Sequence, residues 1–290
     1  MKTISRLLAS ALILVFSLTA ARAINPQKAY AYTPKDFGIE YVEDSVVTSD
    51  GYRINIWNLP GTGENGRSVL IACADAGNMG QWLGIGATLC FLGYDVWMFD
   101  YRGFGGSQDF ATDLDMLYHS EYLRDFGAVL EHVAVLRDRP VDVLAFSMGT
   151  IMVGEHLRQY PGRKSLIRSC VMDGFISDPA ESVRILNGDN DNDNGNGSDN
   201  GNAANSGSDG KSVQLPATPL LSPGFRLQDI SVPMLLIHAT EDTVSPRRLL
   251  EPLTASPLVT LREFDCKHLQ AAFTHTEEYF TALDTFLKAH

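Results

Sequence analysis

The sequence lacks the cysteine patterns of metal-binding and disulfide-rich proteins. Four of its 290 residues are cysteines, with no C-x-x-C pair and no Cys/His spacing typical of zinc sites. Three of the four lie in apolar stretches typical of buried free thiols. The four cysteines are Cys73, Cys90, Cys170 and Cys266. We therefore expect neither a disulfide framework nor a metal site, and no cofactor.

Positive charge is also scarce. The chain has 23 Lys and Arg against 35 Asp and Glu, which gives a formal net charge of −12. A surface of this sign disfavours nucleic acids and anionic membranes as partners. The charge balance leaves open which kind of small molecule the protein binds.

Long apolar runs are absent except near the N-terminus. Leu7–Ala20 is apolar, but its length of about fourteen residues is less than the roughly 20 needed to cross a bilayer. Basic residues precede this run, and Ala21-Arg22-Ala23 follows it with the small-residue pattern of a signal-peptidase site. We predict that residues 1–23 form a cleaved signal peptide. The mature protein is then periplasmic or secreted, without a membrane span.

One internal segment has almost no apolar side chains. Residues 187–211 read NGDNDNDNGNGSDNGNAANSGSDGK, which cannot contribute to a hydrophobic core. Its alternating acids resemble the start of an EF-hand loop, but no frame supplies both the required Gly and the required Glu. We predict a flexible insertion within one domain that spans residues 24–290.

The rest of the chain alternates between strand-like and helix-like patterns. A hairpin is predicted at Tyr41–Thr48 and Tyr52–Trp57. Buried strands are predicted at Ser68–Cys73, Asp95–Phe99 and Val141–Phe146, and further strands at Ser169–Met172, Met234–His238 and Val259–Phe264. Helices are predicted at Gly80–Leu92, Met116–Arg137 and Met148–Gln159. This alternation predicts an α/β fold with a mostly parallel sheet and helices on both of its faces.

The strongest chemical signal is VDVLAFSMGT, residues 141–150. A buried strand ends at Phe146, and Ser147 follows directly before a helix. Ala145 and Gly149 supply the small neighbours that a tight strand–turn–helix requires, with Ala in place of the usual first Gly. Such a bend holds the serine hydroxyl above the carboxyl edge of the sheet, where ligands bind in open α/β folds. We predict that Ser147 is a nucleophile.

A serine nucleophile needs a base, and the base needs an orienting carboxylate. After the strand at Met234–His238, the sequence EDTVSP offers Glu241 and Asp242. We favour Asp242 because the D-x-V-x-P loop pattern turns this residue inward. His268 follows the last strand in DCKHLQ, whereas His275 lies in a helical run and is expected at the surface. We predict Asp242 as the acid and His268 as the base.

With these motifs in place, the chain resembles the α/β-hydrolase superfamily. The resemblance extends from about Val46 to the C-terminus, and it rests on VLIACADAGNMG, VWMFDYRGFGGS, VLAFSMGT, MLLIHATEDTVSP and FDCKHLQ. It implies that Ser147, Asp242 and His268 form a catalytic triad. It also implies a short cap between the sixth and seventh strands, the interval that contains residues 187–211.

The resemblance further implies an oxyanion loop after the third strand. Members with an HGNAGN-type loop have His-Gly where this chain has Cys73-Ala74, and Asp75 follows. The expected oxyanion donors are the backbone N–H groups of Met148 and Asp75. Ala74 adds a methyl group, and Asp75 adds a negative charge next to the expected oxyanion. These two departures make this loop the weakest part of the catalytic hypothesis.

These features predict a serine hydrolase that cleaves a small-molecule ester through an acyl-enzyme, with thioesters and amides as further candidates. A peptidase remains an alternative, because the cap sequence identifies neither the substrate nor its acyl chain length. Two other hypotheses stay open. One is a non-catalytic binding protein of the α/β-hydrolase fold, favoured by the altered oxyanion loop. The other is an acyltransferase that excludes water.

Overall fold

The computed structural model describes residues 23–61, 66–161, 166–188 and 212–290. The predicted signal peptide, apart from its last residue, therefore lies outside the described residues. The same holds for the predicted insertion at 187–211, apart from its first two residues. Within the described ranges, no helix is both long enough and apolar enough to cross a membrane.

An eight-stranded sheet organises the domain. Its strands in chain order are β2 (Val42–Val47), β3 (Arg53–Leu59), β4 (Ser68–Ala72), β6 (Asp95–Phe99), β7 (Val141–Phe146), β8 (Ile167–Asp173), β9 (Met234–Ala239) and β10 (Val259–Phe264). Their spatial order is β10-β9-β8-β7-β4-β6-β3-β2. The β2–β3 and β3–β6 pairs are antiparallel, and all the other pairs are parallel. The predicted mostly parallel sheet is thus confirmed.

A second, two-stranded sheet lies near the N-terminus. It pairs β1 (Asn25–Pro26) in parallel with β5 (Ala76–Gly77). This pair is not predictable from the sequence, because two-residue strands carry no periodicity. It joins the start of the described chain to the loop that follows β4.

Helices cover both faces of the large sheet. They are α1 (Leu83–Phe91), α2 (Tyr122–Arg137), α3 (Met148–Gln159), α4 (Pro179–Leu186), α5 (Arg247–Leu250), α6 (Ala271–Thr274) and α7 (Thr276–Ala289). Alternate residues of β4 point to opposite faces of the sheet. Leu70 and Ala72 pack in the core cluster that includes α2 and α3. Val69 and Ile71 pack in the cluster that includes α1 and α7. Because both faces are covered, most residues of the central strands β4, β6, β7, β8 and β9 are apolar and buried.

One predicted helix is shorter than expected. The apolar pattern predicts a helix over Met116–Arg137, but α2 begins only at Tyr122. Met116 instead forms an isolated parallel bridge with Gln214, and Leu117 and Tyr118 are buried in the core from a loop. The buried loop residues Leu117 and Tyr118 therefore extended the apolar spacing of the helix toward the N-terminus, although they are not helical.

The predicted cap interval between β8 and β9 contains α4 and the segment that returns to the sheet. Leu221 and Phe225 of that segment are buried in the same core cluster as α2 and α3. The ring centroids of Phe225 and Phe175 are 5.4 Å apart. The described part of the cap therefore packs on the body of the domain. All four cysteines are buried and free.

Candidate active site

The turn between β7 and α3 holds Ser147 in a conformation that few side chains adopt. Its φ is 43°, in a region that non-glycine residues occupy rarely and at a cost of about 1–3 kcal/mol. The backbone N–H of Ser147 donates to the Asp173 carbonyl at 3.0 Å, and the N–H of Thr150 donates to the Ser147 carbonyl at 2.8 Å. These bonds fix the bend on both sides of the serine.

The small residue after the bend is required by a close approach of backbone. A Cβ atom at Gly149 would lie 2.3 Å from the carbonyl oxygen of Ala72 and 2.8 Å from that of Cys73. The first turn of α3 therefore packs directly on the end of β4. Ala145 is accommodated because it lies within β7, paired with Ala72.

The structure brings Ser147, His268 and Asp242 into one hydrogen-bonded chain. His268 Nε2 lies 3.0 Å from Ser147 Oγ, and His268 Nδ1 lies 2.6 Å from Asp242 Oδ2. With the Nδ1 proton donated to Asp242, Nε2 is left to accept the hydrogen bond of the serine hydroxyl. The alternative candidate, His275, lies outside this chain of hydrogen bonds. Its Nδ1 is 2.9 Å from the hydroxyl oxygen of Thr274.

The loop after β9 explains why Asp242, and not Glu241, faces inward. The Asp242 carboxylate accepts the N–H groups of Val244 and Ser245 at 2.8 and 2.9 Å, and it accepts the Ser245 hydroxyl at 2.8 Å. Burial opposes its ionisation, but His268 and Ser245 outweigh this and lower the pKa of Asp242. Glu241 is exposed.

The imidazole of His268 is packed against backbone. A Cβ atom at Gly174 would lie 2.5 Å from His268 Cε1, so the ring lies flush on this glycine. Burial of the ring works against its protonation. The hydrogen bond and charge of Asp242, together with Asp173 and Asp75, outweigh burial and raise the pKa of His268 above its ordinary value.

Asp173 is a site residue that the sequence analysis missed. It ends β8, is buried, and accepts the hydroxyl of Tyr279 at 2.8 Å. Burial raises the pKa of Asp173 to about 7, against the hydrogen bond from Tyr279 and the charge of His268. The available signal was a carboxylate directly after the apolar run Cys170–Met172, at the carboxyl end of a strand.

The β4–α1 loop, residues 73–82, carries Asp75 beside the nucleophile turn. Its backbone is held by the N-terminal segment, residues 24–30: Asn25 N–H donates to the Asp75 carbonyl at 3.0 Å, and Gln27 N–H donates to the Gly77 carbonyl at 2.8 Å. The Asn78 side chain donates to the carbonyls of Gln27 and Ala29 at 3.0 and 2.8 Å. The loop therefore depends on residues about 50 positions earlier in the sequence.

The DYRGFGG motif after β6 binds other parts of the fold. Asp100 accepts the Tyr30 hydroxyl and the backbone N–H of Met79. Arg102 is fully buried between the carboxylates of Asp50 and Asp125, with closest distances of 2.8 and 2.7 Å. The motif thus anchors the N-terminal segment and the start of α2 and supplies no group to the chain of Ser147, His268 and Asp242. Within the described ranges, no cluster of three or more His, Cys, Asp or Glu could hold a metal ion.

Comparison with known proteins agrees with this architecture. A family profile described as alpha/beta hydrolase fold matches residues 59–193. Among solved structures, the Pyrococcus furiosus esterase Pf2001 superposes with a TM-score of 0.70 at 18% identity, over 92% of this chain and 99% of its own. An esterase from Exiguobacterium antarcticum superposes with a TM-score of 0.62 at 18% identity, over 85% of this chain and 100% of its own. The chain has the α/β-hydrolase fold, as its motifs predict.

Sequence similarity to curated proteins is local. The uncharacterized protein Rv2307c of Mycobacterium tuberculosis (strain ATCC 25618 / H37Rv) is 40% identical over 63 residues, 21% of this chain and 22% of its own. The uncharacterized membrane protein YNL320W of Saccharomyces cerevisiae (strain ATCC 204508 / S288c) is 36% identical over 78 residues, 26% of this chain and 27% of its own. The chain thus matches only about a quarter of the length of these relatives, which identifies no activity.

Proposed function

We propose that the protein is a serine hydrolase that cleaves carboxylic esters through an acyl-enzyme. The observation that carries the proposal is the hydrogen-bonded chain from Ser147 Oγ to His268 Nε2 at 3.0 Å and from His268 Nδ1 to Asp242 at 2.6 Å. This arrangement supplies a nucleophile, a base and an orienting acid without a cofactor.

In the first step, Ser147 Oγ attacks the ester carbonyl carbon while His268 Nε2 accepts the hydroxyl proton. The carbonyl π electrons move onto oxygen, which gives a tetrahedral oxyanion. Asp242 holds the imidazole in the required tautomer and stabilises the imidazolium that forms. The backbone N–H groups of Met148 and Asp75 are the proposed oxyanion donors, and losing one such donor typically lowers turnover about 10²–10³-fold.

In the second step, the oxyanion collapses and the bond to the alcohol oxygen breaks. His268 returns the proton to the leaving alcohol, which departs and leaves an ester of Ser147. Water then repeats the sequence with His268 as base and releases the acid. An acyltransferase would use a second alcohol in place of this water. Adding an acceptor alcohol and analysing the products separates the two activities.

The ester class is favoured because structural neighbours such as Pf2001 are esterases. The expected substrate is a small acyl compound, with thioesters and amides as further candidates. Rates for p-nitrophenyl esters of increasing acyl length, measured beside an aminopeptidase substrate, rank these classes. Export to the periplasm or outside the cell is part of the proposal, and N-terminal sequencing of the mature protein tests cleavage after Ala23.

Labelling with a fluorophosphonate probe tests the nucleophile. We expect the wild-type protein to be labelled and Ser147→Ala to be unlabelled. The matched control is Ser49→Ala, at an exposed serine in the turn between β2 and β3, which should label as the wild type does. Equal labelling of wild type and Ser147→Ala, or a folded wild type that does not react, would make the proposal wrong.

A non-catalytic binding protein is the second candidate, since Cys73-Ala74 replaces the His-Gly expected in the β4–α1 loop. It predicts a folded protein that neither reacts with the probe nor turns over esters. Hydrolysis of short p-nitrophenyl esters that is lost in His268→Ala eliminates this candidate.

A further inference from the structure

Asp75 differs from the other acids around the site in having no donor from another residue. The buried aspartates have protein partners: Asp100 with Tyr30, Asp125 with Arg102, Asp142 with Arg67, Asp173 with Tyr279 and Asp242 with His268. Within the described ranges, no other residue donates a hydrogen bond or forms an ion pair with the Asp75 carboxylate, and only its own backbone N–H approaches it.

Asp75 lies near the catalytic histidine, in a loop that packs against the nucleophile turn. Asp75 and His268 are close enough that each shifts the pKa of the other. The β4–α1 loop also lies against the nucleophile turn, since Gly149 packs on the Cys73 carbonyl. The side chain is half-buried, so a bound molecule can reach it. The residue whose N–H is proposed to bind the oxyanion therefore also presents a carboxylate within a few bonds of that position.

An unpaired carboxylate in a half-buried position is unfavourable unless it gains a proton or a cation. Burial raises the pKa of Asp75, while its own N–H and His268 oppose this shift. The positive charge of His268 during catalysis does not satisfy Asp75, because that charge is transient and already paired with Asp242. A positive group on the substrate would satisfy Asp75 throughout the reaction.

We propose that Asp75 selects esters that carry an ammonium group within a few bonds of the scissile carbonyl. The inference rests on the proposed function and names its substrate class. The ammonium group can belong to the acyl half or to the alcohol half of the ester, and both place a cation next to Asp75. An anionic group in the same place would be repelled, and the net charge of −12 adds to the attraction of cations.

The test uses two pairs of synthetic substrates that differ only in charge. For the acyl half, the pair is the p-nitrophenyl ester of trimethylammonio-butanoic acid and its isostere with tert-butyl in place of trimethylammonio. For the alcohol half, the pair is acetylcholine and 3,3-dimethylbutyl acetate, its tert-butyl isostere. The quantity measured is the ratio of kcat/KM for the charged substrate to that for the neutral one. A ratio is used because Asp75 also supplies a proposed oxyanion donor, so its substitution can change both rates.

In the wild-type protein, we expect the ratio of kcat/KM for the charged substrate to that for the neutral one to be about ten in at least one pair. In Asp75→Asn, the same ratio should fall by about tenfold. The pair that responds identifies which half of the ester carries the cation. Glu241→Gln removes the same charge from an exposed position beside Asp242, and its ratio should equal that of the wild type. Added salt should lower the wild-type ratio because it screens the attraction.

Three results would overturn the inference. The first is a wild-type ratio of one or less in both pairs, which needs no variant. The second is an unchanged ratio in Asp75→Asn, and the third is an equal fall in Glu241→Gln, which would indicate the general field of an acidic protein. If the neutral esters are still hydrolysed and Ser147 is labelled, the proposed function stands without the inference. If neither labelling nor turnover occurs, the proposed function fails and the inference falls with it.

Discussion

The nucleophile turn and the β4–α1 loop lie side by side at one edge of the sheet, yet they are fixed by different means. The turn at Ser147 is held by bonds from its own flanks and from the adjacent strand β8, and by the contact of Gly149 with the end of β4. The β4–α1 loop is held by the N-terminal segment, through Asn25 and Gln27. The turn is therefore held by neighbouring strands of the large sheet, whereas the loop is held by a segment outside that sheet.

The largest effect is expected when the contact below the nucleophile turn is broken. Gly149→Ala places a methyl group 2.3 Å from the Ala72 carbonyl oxygen, so the turn or the loop must move. We expect fluorophosphonate labelling to slow by at least about 10²-fold, and unfolding to require about 1–3 kcal/mol less. The control is Gly127→Ala within α2, where an added Cβ meets nothing within 4 Å. Unchanged labelling in Gly149→Ala would show that the turn does not depend on this contact.

A smaller effect is expected when the N-terminal segment loses its bond to the β4–α1 loop. Asn25→Pro removes the N–H that donates to the Asp75 carbonyl, whereas Asn25→Ala keeps it and changes only an exposed side chain. We expect kcat for a short ester to fall by about tenfold or more in Asn25→Pro. This fall should be smaller than the decrease of about 10²–10³-fold in kcat that follows the complete loss of an oxyanion donor. Asn25→Ala should match the wild type. Equal activity of the two variants would contradict the bracing role.

The pH dependence distinguishes the carboxylates that surround His268. Only the neutral imidazole can accept the serine proton, so activity is lost as pH falls through its pKa. Because that pKa is raised, the acid limb of kcat/KM should have an apparent pKa above about 6.5. Asp173→Asn should move this limb to lower pH, because it removes the negative charge that Asp173 carries near His268 as pH rises through its pKa of about 7. A limb that does not move would show that Asp173 serves only to hold Tyr279.

The smallest effect is expected for Ala74→Gly, which removes the methyl group by which the loop departs from the family pattern. The N-terminal segment already fixes this loop, so we expect kcat to change by less than about tenfold. Steady-state kinetics on a short p-nitrophenyl ester measures this change. A much larger rise in kcat would show that the native loop is held in an unproductive conformation.

The residues that follow strands of the large sheet were predictable, and the contacts of the N-terminal segment were not. Ser147, Asp242 and His268 each follow a strand of the large sheet and lie in a short motif, so the order of strands and loops was enough to bring them together. The pairing of Asn25 with the β4–α1 loop joins residues with no shared pattern. Asp173 was missed because the end of a buried strand gives no indication of which polar group it will meet. The role of Asp75 depends on a missing partner, which sequence patterns do not reveal.

The wide separation of the site residues along the chain has a consequence for folding. Asn25 is synthesised before Ser147, and His268 is synthesised only after β10, which lies at the edge of the sheet. No partly synthesised chain, and no chain that has failed to add β10, can hold Ser147 and His268 together. The fraction of molecules that react with an active-site probe would therefore count those that have completed folding, which makes the proposed reaction a measure of chain integrity.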